Sequence, residues 1–136
     1  MTPITSEDYF EKTSKIEEPS DEIRANADDL LERVNALFDD IVNTYGLHQF
    51  ENPEVRSGWR PASYNATVPN AAPNSKHITG QAVDISDNEG ELDEFLFART
   101  TLLIKHGLYM EHPLSTKSWC HLQSIPPRSG NRVFFP

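Results

Sequence analysis

The sequence has little of several features that would each indicate a particular class of protein. It contains one cysteine among 136 residues, so an internal disulfide is excluded and synthesis in a reducing cytosol is expected. It contains no run approaching the ~20 apolar residues that a membrane span needs. The first residues, Met1 to Asp8, have neither a basic start nor an apolar core, so no secretory signal is expected. A chain of this length predicts one domain with a modest hydrophobic core.

Positive charge is scarce as well. The chain has 12 Lys and Arg against 21 Asp and Glu, which gives a net charge of −9. The excess lies in residues 1–50, where 12 acidic residues accompany 4 basic ones, while the remaining residues hold 9 and 8. No nucleic acid or anionic membrane partner is therefore expected. We interpret the acidic half as a solvated surface that keeps the protein soluble.

Residues 1–19 are polar and charged, have no clear period, and end at Pro19. This composition predicts an acidic N-terminal arm that is extended and loosely held, and that could dock on a partner. Residues 20–136 are predicted to form a single domain.

The longest helix is predicted over residues 20–45. Ser20 is a suitable N-cap, and Asp21 and Glu22 place negative charge in the first turn, where the helix dipole favours it. Gly46 is expected to end the helix. The buried stripe is formed by apolar residues in steps of three and four, namely Ile23, Ala27, Leu30, Leu31, Val34, Leu37, Phe38, Ile41 and Val42.

The remaining pattern predicts short strands and one more helix. A second helix is expected over residues 91–106, where Gly107 stops it. Residues 124–136 hold three prolines and are expected to lie irregularly on the surface. These elements predict an α+β fold in which two main helices pack on a small antiparallel sheet. Runs typical of β-strands cover residues 54–60, 82–86, 108–112 and 118–123.

The main chemical motif is Ser75-Lys76-His77-Ile78-Thr79-Gly80-Gln81-Ala82-Val83-Asp84. A carboxylate fixed on the strand at Asp84 and the imidazole of His77, folded back over it, can share one metal ion. His121, in the later β-type run, offers a third ligand. Two neutral imidazoles, one carboxylate and a position left for water are typical of a catalytic zinc site. Because the imidazoles must be neutral to bind, zinc affinity is expected to fall below a pH of ~6.5.

The pattern Ser-x-His-x-x-Gly-x-Ala-x-Asp, preceded by Ser57-Gly58-Trp59-Arg60 and followed by Trp119-x-His121, resembles the zinc D-alanyl-D-alanine carboxypeptidase family. That family includes the vancomycin-resistance dipeptidases and the L-alanyl-D-glutamate endopeptidases of phage endolysins. The resemblance covers Arg56 to Gln123, about half of the chain. It implies a hedgehog/DD-peptidase fold for residues 20–136, and zinc bound by His77, Asp84 and His121.

The resemblance also implies roles for residues around the metal. It places Arg60 beside the zinc, where its guanidinium would hold a substrate carboxylate, although a surface ion pair also explains an arginine. Ser75 would hydrogen-bond the peptide substrate, or would only cap a turn. Trp119 is assigned to substrate binding.

The general base expected from the family is missing. Family members carry it two or three residues before the last histidine ligand, where this chain has Trp119 and Ser118, and neither can accept a proton near neutral pH. Glu111 is the nearest substitute. If strands 108–112 and 118–123 form a hairpin that pairs Glu111 with Trp119, Glu111 lies on the same face as His121. A solvated Glu111 is the alternative, and a register slip of one residue would bring His112 there instead.

Strand alternation turns Cys120 away from the face of His121, so we predict a small buried apolar side chain rather than a fourth ligand.

The function implied by the resemblance is hydrolysis of peptide bonds in bacterial peptidoglycan stem peptides. A phage lysin, made in the host cytoplasm and acting on the cell wall or carried in a virion, is the expected context. The alternative is a catalytically silent relative that serves as a virion structural or cell-wall-binding protein, with the N-terminal arm contacting virion proteins.

Overall fold

The computed structural model describes all 136 residues, which fold into one five-stranded sheet and five α-helices. None of the helices is both long and apolar enough to cross a membrane. The helices are α1 (Ser6–Phe10), α2 (Asp21–Asn43), α3 (Ala62–Asn65), α4 (Glu91–Phe97) and α5 (Thr100–His106). The strands are β1 (Val55–Ser57), β2 (Ala82–Ser86), β3 (Tyr109–Glu111), β4 (Trp119–Gln123) and β5 (Val133–Phe134).

The strands are arranged in the order β1-β2-β4-β3-β5, which places β4 at the centre. All neighbours are antiparallel except β3 and β5, which are parallel. The predicted α+β class is confirmed. The predictions of a purely antiparallel sheet and of an irregular tail over residues 124–136 are wrong. The tail adds a strand because it covers the free edge of β3: His112 donates its backbone N–H to Phe134, whose side chain is itself buried.

Helix α2 agrees with its prediction. The Ser20 hydroxyl accepts the backbone N–H of Ile23 as an N-cap, and every apolar residue of the predicted stripe from Ala27 to Val42 is buried. This stripe supplies the largest helical share of the core, which the sheet completes from the other side.

The prediction of one continuous helix over residues 91–106 is wrong. The segment is broken into α4 and α5 at Arg99, whose φ of −137° and ψ of 57° are not helical. The guanidinium of Arg99 lies 4.3 Å from the centroid of the Phe95 ring, so the side chain folds back over α4. The β-branched residues Thr100 and Thr101 then begin α5.

The N-terminal segment is not the loose arm that its polarity predicts. Ile4, Tyr9, Phe10 and Thr13 are buried, and the Tyr9 hydroxyl donates to the carbonyl oxygen of Ala82 at 2.8 Å. A few apolar residues without helical or strand period are enough to dock the segment, because α2 and β2 provide the surface that they cover. The segment is therefore part of the domain.

Replacing Tyr9 tests this correction. Tyr9→Ala should lower the free energy of unfolding by about 3–5 kcal/mol, the range for losing a buried aromatic side chain. The matched control is Tyr45→Ala, because Tyr45 is 43 % exposed and its removal should cost about 1 kcal/mol or less. Urea denaturation measures both. Equal and small effects would mean that the segment is loosely held after all.

Candidate metal centre

The sheet places four polar side chains in a row on one face. Asp84 in β2 pairs with His121 in β4, and Ser57 in β1 pairs with Asp84 on the other side. Tyr109 and Met110 in β3 pair with Gln123 and Leu122, so Glu111 lies opposite His121. Side chains that are directly opposite in a sheet point to the same face, which explains how residues from four separate strands meet.

The other face of the same strands belongs to the core. Val83 and Ile85 of β2, Leu122 of β4 and Met110 of β3 are all fully or nearly fully buried in the hydrophobic cluster. Cys120 joins them and has no exposed surface, so its prediction as a buried apolar side chain is confirmed. Burial raises the pKa of the Cys120 thiol well above its usual value, which keeps the sulfur protonated and unsuited to metal binding.

His77 completes the cluster from the loop before β2. Its Nε2 lies 3.3 Å from Oδ2 of Asp84, and Nδ1 of His121 lies 2.9 Å from Oδ1 of Asp84. One ligand atom from each of the three residues can be chosen so that all lie within 4.8 Å of one another, and all three residues are buried. Tetrahedral zinc ligands lie about 3.4 Å apart, so the spacing suits a metal ion bound by two nitrogens and one oxygen.

The second nitrogen of each imidazole is held by an acceptor. Nδ1 of His77 lies 2.8 Å from the carbonyl oxygen of Gly58, and Nε2 of His121 lies 2.8 Å from Oε1 of Gln123. Because these oxygens only accept, the facing nitrogens must carry the hydrogen. The lone pairs left for a metal are therefore on Nε2 of His77 and Nδ1 of His121, the two atoms that face Asp84.

Gly58 connects the N-terminal segment to this centre. A Cβ at position 58 would overlap the carbonyl oxygen of Tyr9, so only glycine allows the two backbones to approach this closely. Thr13 adds a hydrogen bond to the carbonyl oxygen of Trp59 at 2.8 Å. The segment therefore supports the backbone carbonyl that orients His77.

Asp84 and His121 each shift the pKa of the other. Burial acts to raise the pKa of Asp84, but His77 and His121 outweigh it and hold that pKa below its usual range. Burial acts to lower the pKa of His121, but the hydrogen bond and charge of Asp84, with the charge of Glu111, raise it to about 9. The anionic carboxylate therefore keeps a proton on His121 in the metal-free protein.

Because the pKa of His121 is raised, zinc affinity should begin to fall below a pH of about 9. An unperturbed histidine would place this limit at a pH of ~6.5. A metal ion that binds Nδ1 of His121 must displace the proton held there, which the ring releases at a pH of about 9. Displacement of one proton makes the apparent zinc affinity fall about tenfold per pH unit below that value. Competition titrations between about pH 6.5 and 8.5 measure the slope. A flat affinity across that range would contradict a protonated His121.

Arg60 lies in the site and is held by three partners. Its Nε donates to Ser57 Oγ at 3.0 Å, its Nη1 to Asn65 Oδ1 at 3.2 Å and its Nη2 to Asp84 Oδ2 at 3.3 Å. A guanidinium has five N–H groups, so two remain, one on each Nη. The side chain is 12 % exposed and lies at the edge of the group formed by His77, Asp84 and His121. Arg60 therefore lies next to Asp84, and its predicted contact with a substrate carboxylate stays a prediction.

Glu111 also reaches the site, although its predicted hairpin register is wrong by two residues. It lies opposite His121 rather than Trp119, because the connection from His112 to Ser118 is longer than the predicted loop and includes a 3-10 turn. A shift of two keeps every side chain on its face. Glu111 Oε1 lies 3.7 Å from Nδ1 of His121, and burial raises the pKa of Glu111.

His112 does not take this place. Its ring stacks on Phe135 with centroids 4.4 Å apart and contacts the edge of Phe97 at 4.9 Å. Its Nδ1 accepts the backbone N–H of Leu114. The slip of one residue that would exchange Glu111 and His112 is therefore absent.

A cleft of about 1090 Å³ opens at His77, Asp84 and His121, and both Ser75 and Trp119 line it. Ser75 Oγ accepts the backbone N–H of His77 at 3.2 Å, so it caps the turn that carries His77. The guanidinium of Arg56 lies 5.3 Å from the ring centroid of Trp119. Contact of Ser75 and Trp119 with a substrate stays a prediction.

The sequence does not predict the contacts of three side chains in the site: Ser57 and Asn65, which hold Arg60, and Gln123, which holds His121. Gln123 follows His121 by two residues, so strand alternation alone places it on the same face and could have identified it. Asn65 is recognisable only in the structure, because α3 brings it to Arg60.

Comparisons with protein-family models, with curated proteins and with solved structures give no match to this chain.

Proposed function

We propose that the protein is a zinc metallopeptidase that hydrolyses peptide bonds in the stem peptides of bacterial peptidoglycan. The observation that carries the proposal is the buried group of His77, Asp84 and His121, whose ligand atoms lie within 4.8 Å at the base of a large cleft. The resemblance of residues 56–123 to the zinc D-alanyl-D-alanine carboxypeptidase family supplies the reaction and the substrate class, together with a hedgehog/DD-peptidase fold.

Zinc is the metal that this donor set favours. Two imidazole nitrogens and one carboxylate are a common catalytic zinc set, whereas magnesium and calcium prefer oxygen ligands alone. A zinc ion held by His77, Asp84 and His121 would lower the pKa of water and polarise a peptide carbonyl group. With three protein ligands, a position is left for the reacting groups, as a catalytic rather than a structural site requires.

Glu111 is the proton acceptor in this proposal. Its carboxylate lies 3.7 Å from Nδ1 of His121, but Glu111 is outside the group of three side chains whose ligand atoms lie within 4.8 Å of one another. Burial raises its pKa, which brings a carboxylate closer to the value at which it can both take a proton from water and pass it on. The departing amine of a cleaved peptide needs that proton.

Arg60 positions the substrate. Ser57, Asn65 and Asp84 fix its guanidinium, so little side-chain entropy is lost when its two remaining N–H groups hold a carboxylate or carbonyl oxygen. A rigid donor at this distance from the metal ligands would hold the peptide while its carbonyl faces the ion.

The charge of the cleft suits an acidic peptide, although the chain as a whole carries −9. Four acidic side chains line the cleft, and two of them, Asp84 and Glu111, belong to the metal site. Its five cationic side chains are Lys12, Arg56, Arg60, Lys76 and Arg128. A bound divalent cation would make the cleft more positive still, which favours peptides that carry free carboxylates, as stem peptides do.

Digestion of purified murein tests the proposal. Zinc-loaded protein should release new amino groups, and mass spectrometry of the products should place them within stem peptides. If zinc binds but no amino group is released, the catalytically silent alternative replaces the enzymatic one. Cleavage of unrelated acidic peptides at the same rate would contradict the substrate class while leaving the peptidase chemistry intact.

A further inference from the structure

The amide of Gln123 contacts the metal centre without being one of its ligands. The residue is buried, with 3 % of its surface exposed, and its Oε1 lies 2.8 Å from Nε2 of His121. Its amide nitrogen donates to the carbonyl oxygen of Ile125 at 2.9 Å. Since only the nitrogen can donate to a carbonyl, this second bond determines which end of the amide faces His121.

The fixed amide determines which nitrogen of His121 is available to a metal. An oxygen at 2.8 Å requires a hydrogen on Nε2, and Nδ1 is left facing Asp84 at 2.9 Å. If the ring rotated by half a turn about its Cβ–Cγ bond, it would lose the bond to Gln123, and a buried amide oxygen would have no partner. An unsatisfied buried acceptor is unfavourable, so Gln123 disfavours the rotated ring.

We propose that Gln123 is a positioning residue of the metal centre, which holds His121 in the one orientation and tautomer that presents Nδ1 to the ion. The inference rests on the proposed metal binding, and it concerns affinity rather than turnover. Partners of this kind typically contribute about 10–100-fold in metal affinity. Most are carboxylates or backbone carbonyls, whereas here a side-chain amide has this position.

Zinc affinity of two variants tests the proposal. Gln123→Met has a similar length but no acceptor, and it should weaken zinc binding by about 10–100-fold. Gln123→Glu keeps an oxygen that can accept from Nε2 and should recover most of that loss. The matched control is Gln81→Met, because the Gln81 amide oxygen accepts only from Thr79 and does not contact a ligand, so its affinity should equal that of the parent.

The outcomes separate this inference from the proposed function. If the parent protein binds no zinc, the proposed metal function fails. If the parent binds zinc and Gln123→Met binds it equally well, Gln123 has no positioning role. A loss of thermal stability in Gln123→Met without a loss of affinity, or equal losses for Gln123→Met and Gln123→Glu, would also overturn the inference.

A measurement on the parent protein avoids variants that fail to fold. Nitrogen-15 NMR of the zinc-loaded chain distinguishes the two imidazole nitrogens of His121. We expect the proton on Nε2, protected from exchange by Gln123, and the metal on Nδ1. A metal shift on Nε2 would contradict the proposal directly.

Discussion

Glu111→Gln should reduce the turnover of murein by about 10²- to 10⁴-fold, the range for loss of a general acid or base. Glutamine keeps the shape of the side chain and most of its hydrogen-bonding capacity, but it cannot accept a proton. Glu111 does not belong to the group of His77, Asp84 and His121, whose ligand atoms all lie within 4.8 Å of one another. Zinc stoichiometry and folding should therefore be retained, and the defect should be in kcat.

His112→Ala is the matched control for Glu111→Gln. His112 is the next residue of the chain, but its ring is stacked on Phe135 and has no contact with the metal ligands. Its removal should leave kcat close to that of the parent, with at most a modest loss of stability. A parental rate for Glu111→Gln would remove Glu111 from the mechanism, and an inactive His112→Ala with intact folding would give that role to His112.

Replacement of a metal ligand should have the largest effect of all. We expect His77→Ala, Asp84→Ala and His121→Ala each to lose stoichiometric zinc, because two ligands cannot hold a zinc ion against water at micromolar concentration. Turnover should fall to background in all three. Metal analysis after dialysis gives the stoichiometry, and circular dichroism checks that each variant is folded.

The ligand variants differ in the interactions that the remaining side chains lose. Asp84→Ala removes the carboxylate that lies beside His77, His121 and Arg60, so Arg60 loses an acceptor and both imidazoles lose the adjacent negative charge. Asp84→Asn is the milder companion, since it keeps an acceptor oxygen but no charge. His48→Ala serves as the control, because His48 has 71 % of its side chain exposed and lies outside the site. Full zinc occupancy in any of the ligand variants would show that the residue is not a ligand.

The residues of the metal site were predictable from sequence to the extent that their signal is local. His77 and Asp84 belong to one motif, and His121 lies in a run with strand alternation, so the structure brings together the three residues that the sequence predicts. Glu111 reached its predicted face in spite of a wrong register, because a shift of two residues preserves the alternation of a strand.

The parts that sequence missed depend on contacts between distant segments. The polar composition of residues 1–19 predicts a loose arm, yet Tyr9 is buried against Ala82, 73 positions further along the chain. The pairing of β5 with β3 involves only two residues of the tail, too few for a recognisable pattern. The break at Arg99 follows a continuous helical period in the sequence and is visible only from the backbone angles.

The fold also explains how the residues of the site are held in place without a disulfide. β2 and β4 are adjacent, and β4 has strands on both sides, so Asp84 and His121 are held by backbone hydrogen bonds between neighbouring strands. His77 is on a loop, but its backbone carbonyl accepts the N–H of Arg60 and its ring is held by Gly58. The sheet, the loop and the N-terminal segment therefore each hold one part of the centre.

Activation of the metal-free protein by measured amounts of zinc tests the account most directly. Protein stripped of metal by a chelator is mixed with murein, zinc is added in steps, and the rate of amino-group release is followed. We expect no release without metal, a rate that rises in proportion to zinc, and a plateau at one equivalent per chain. Release by the metal-free protein, or no release at one bound equivalent, would contradict it.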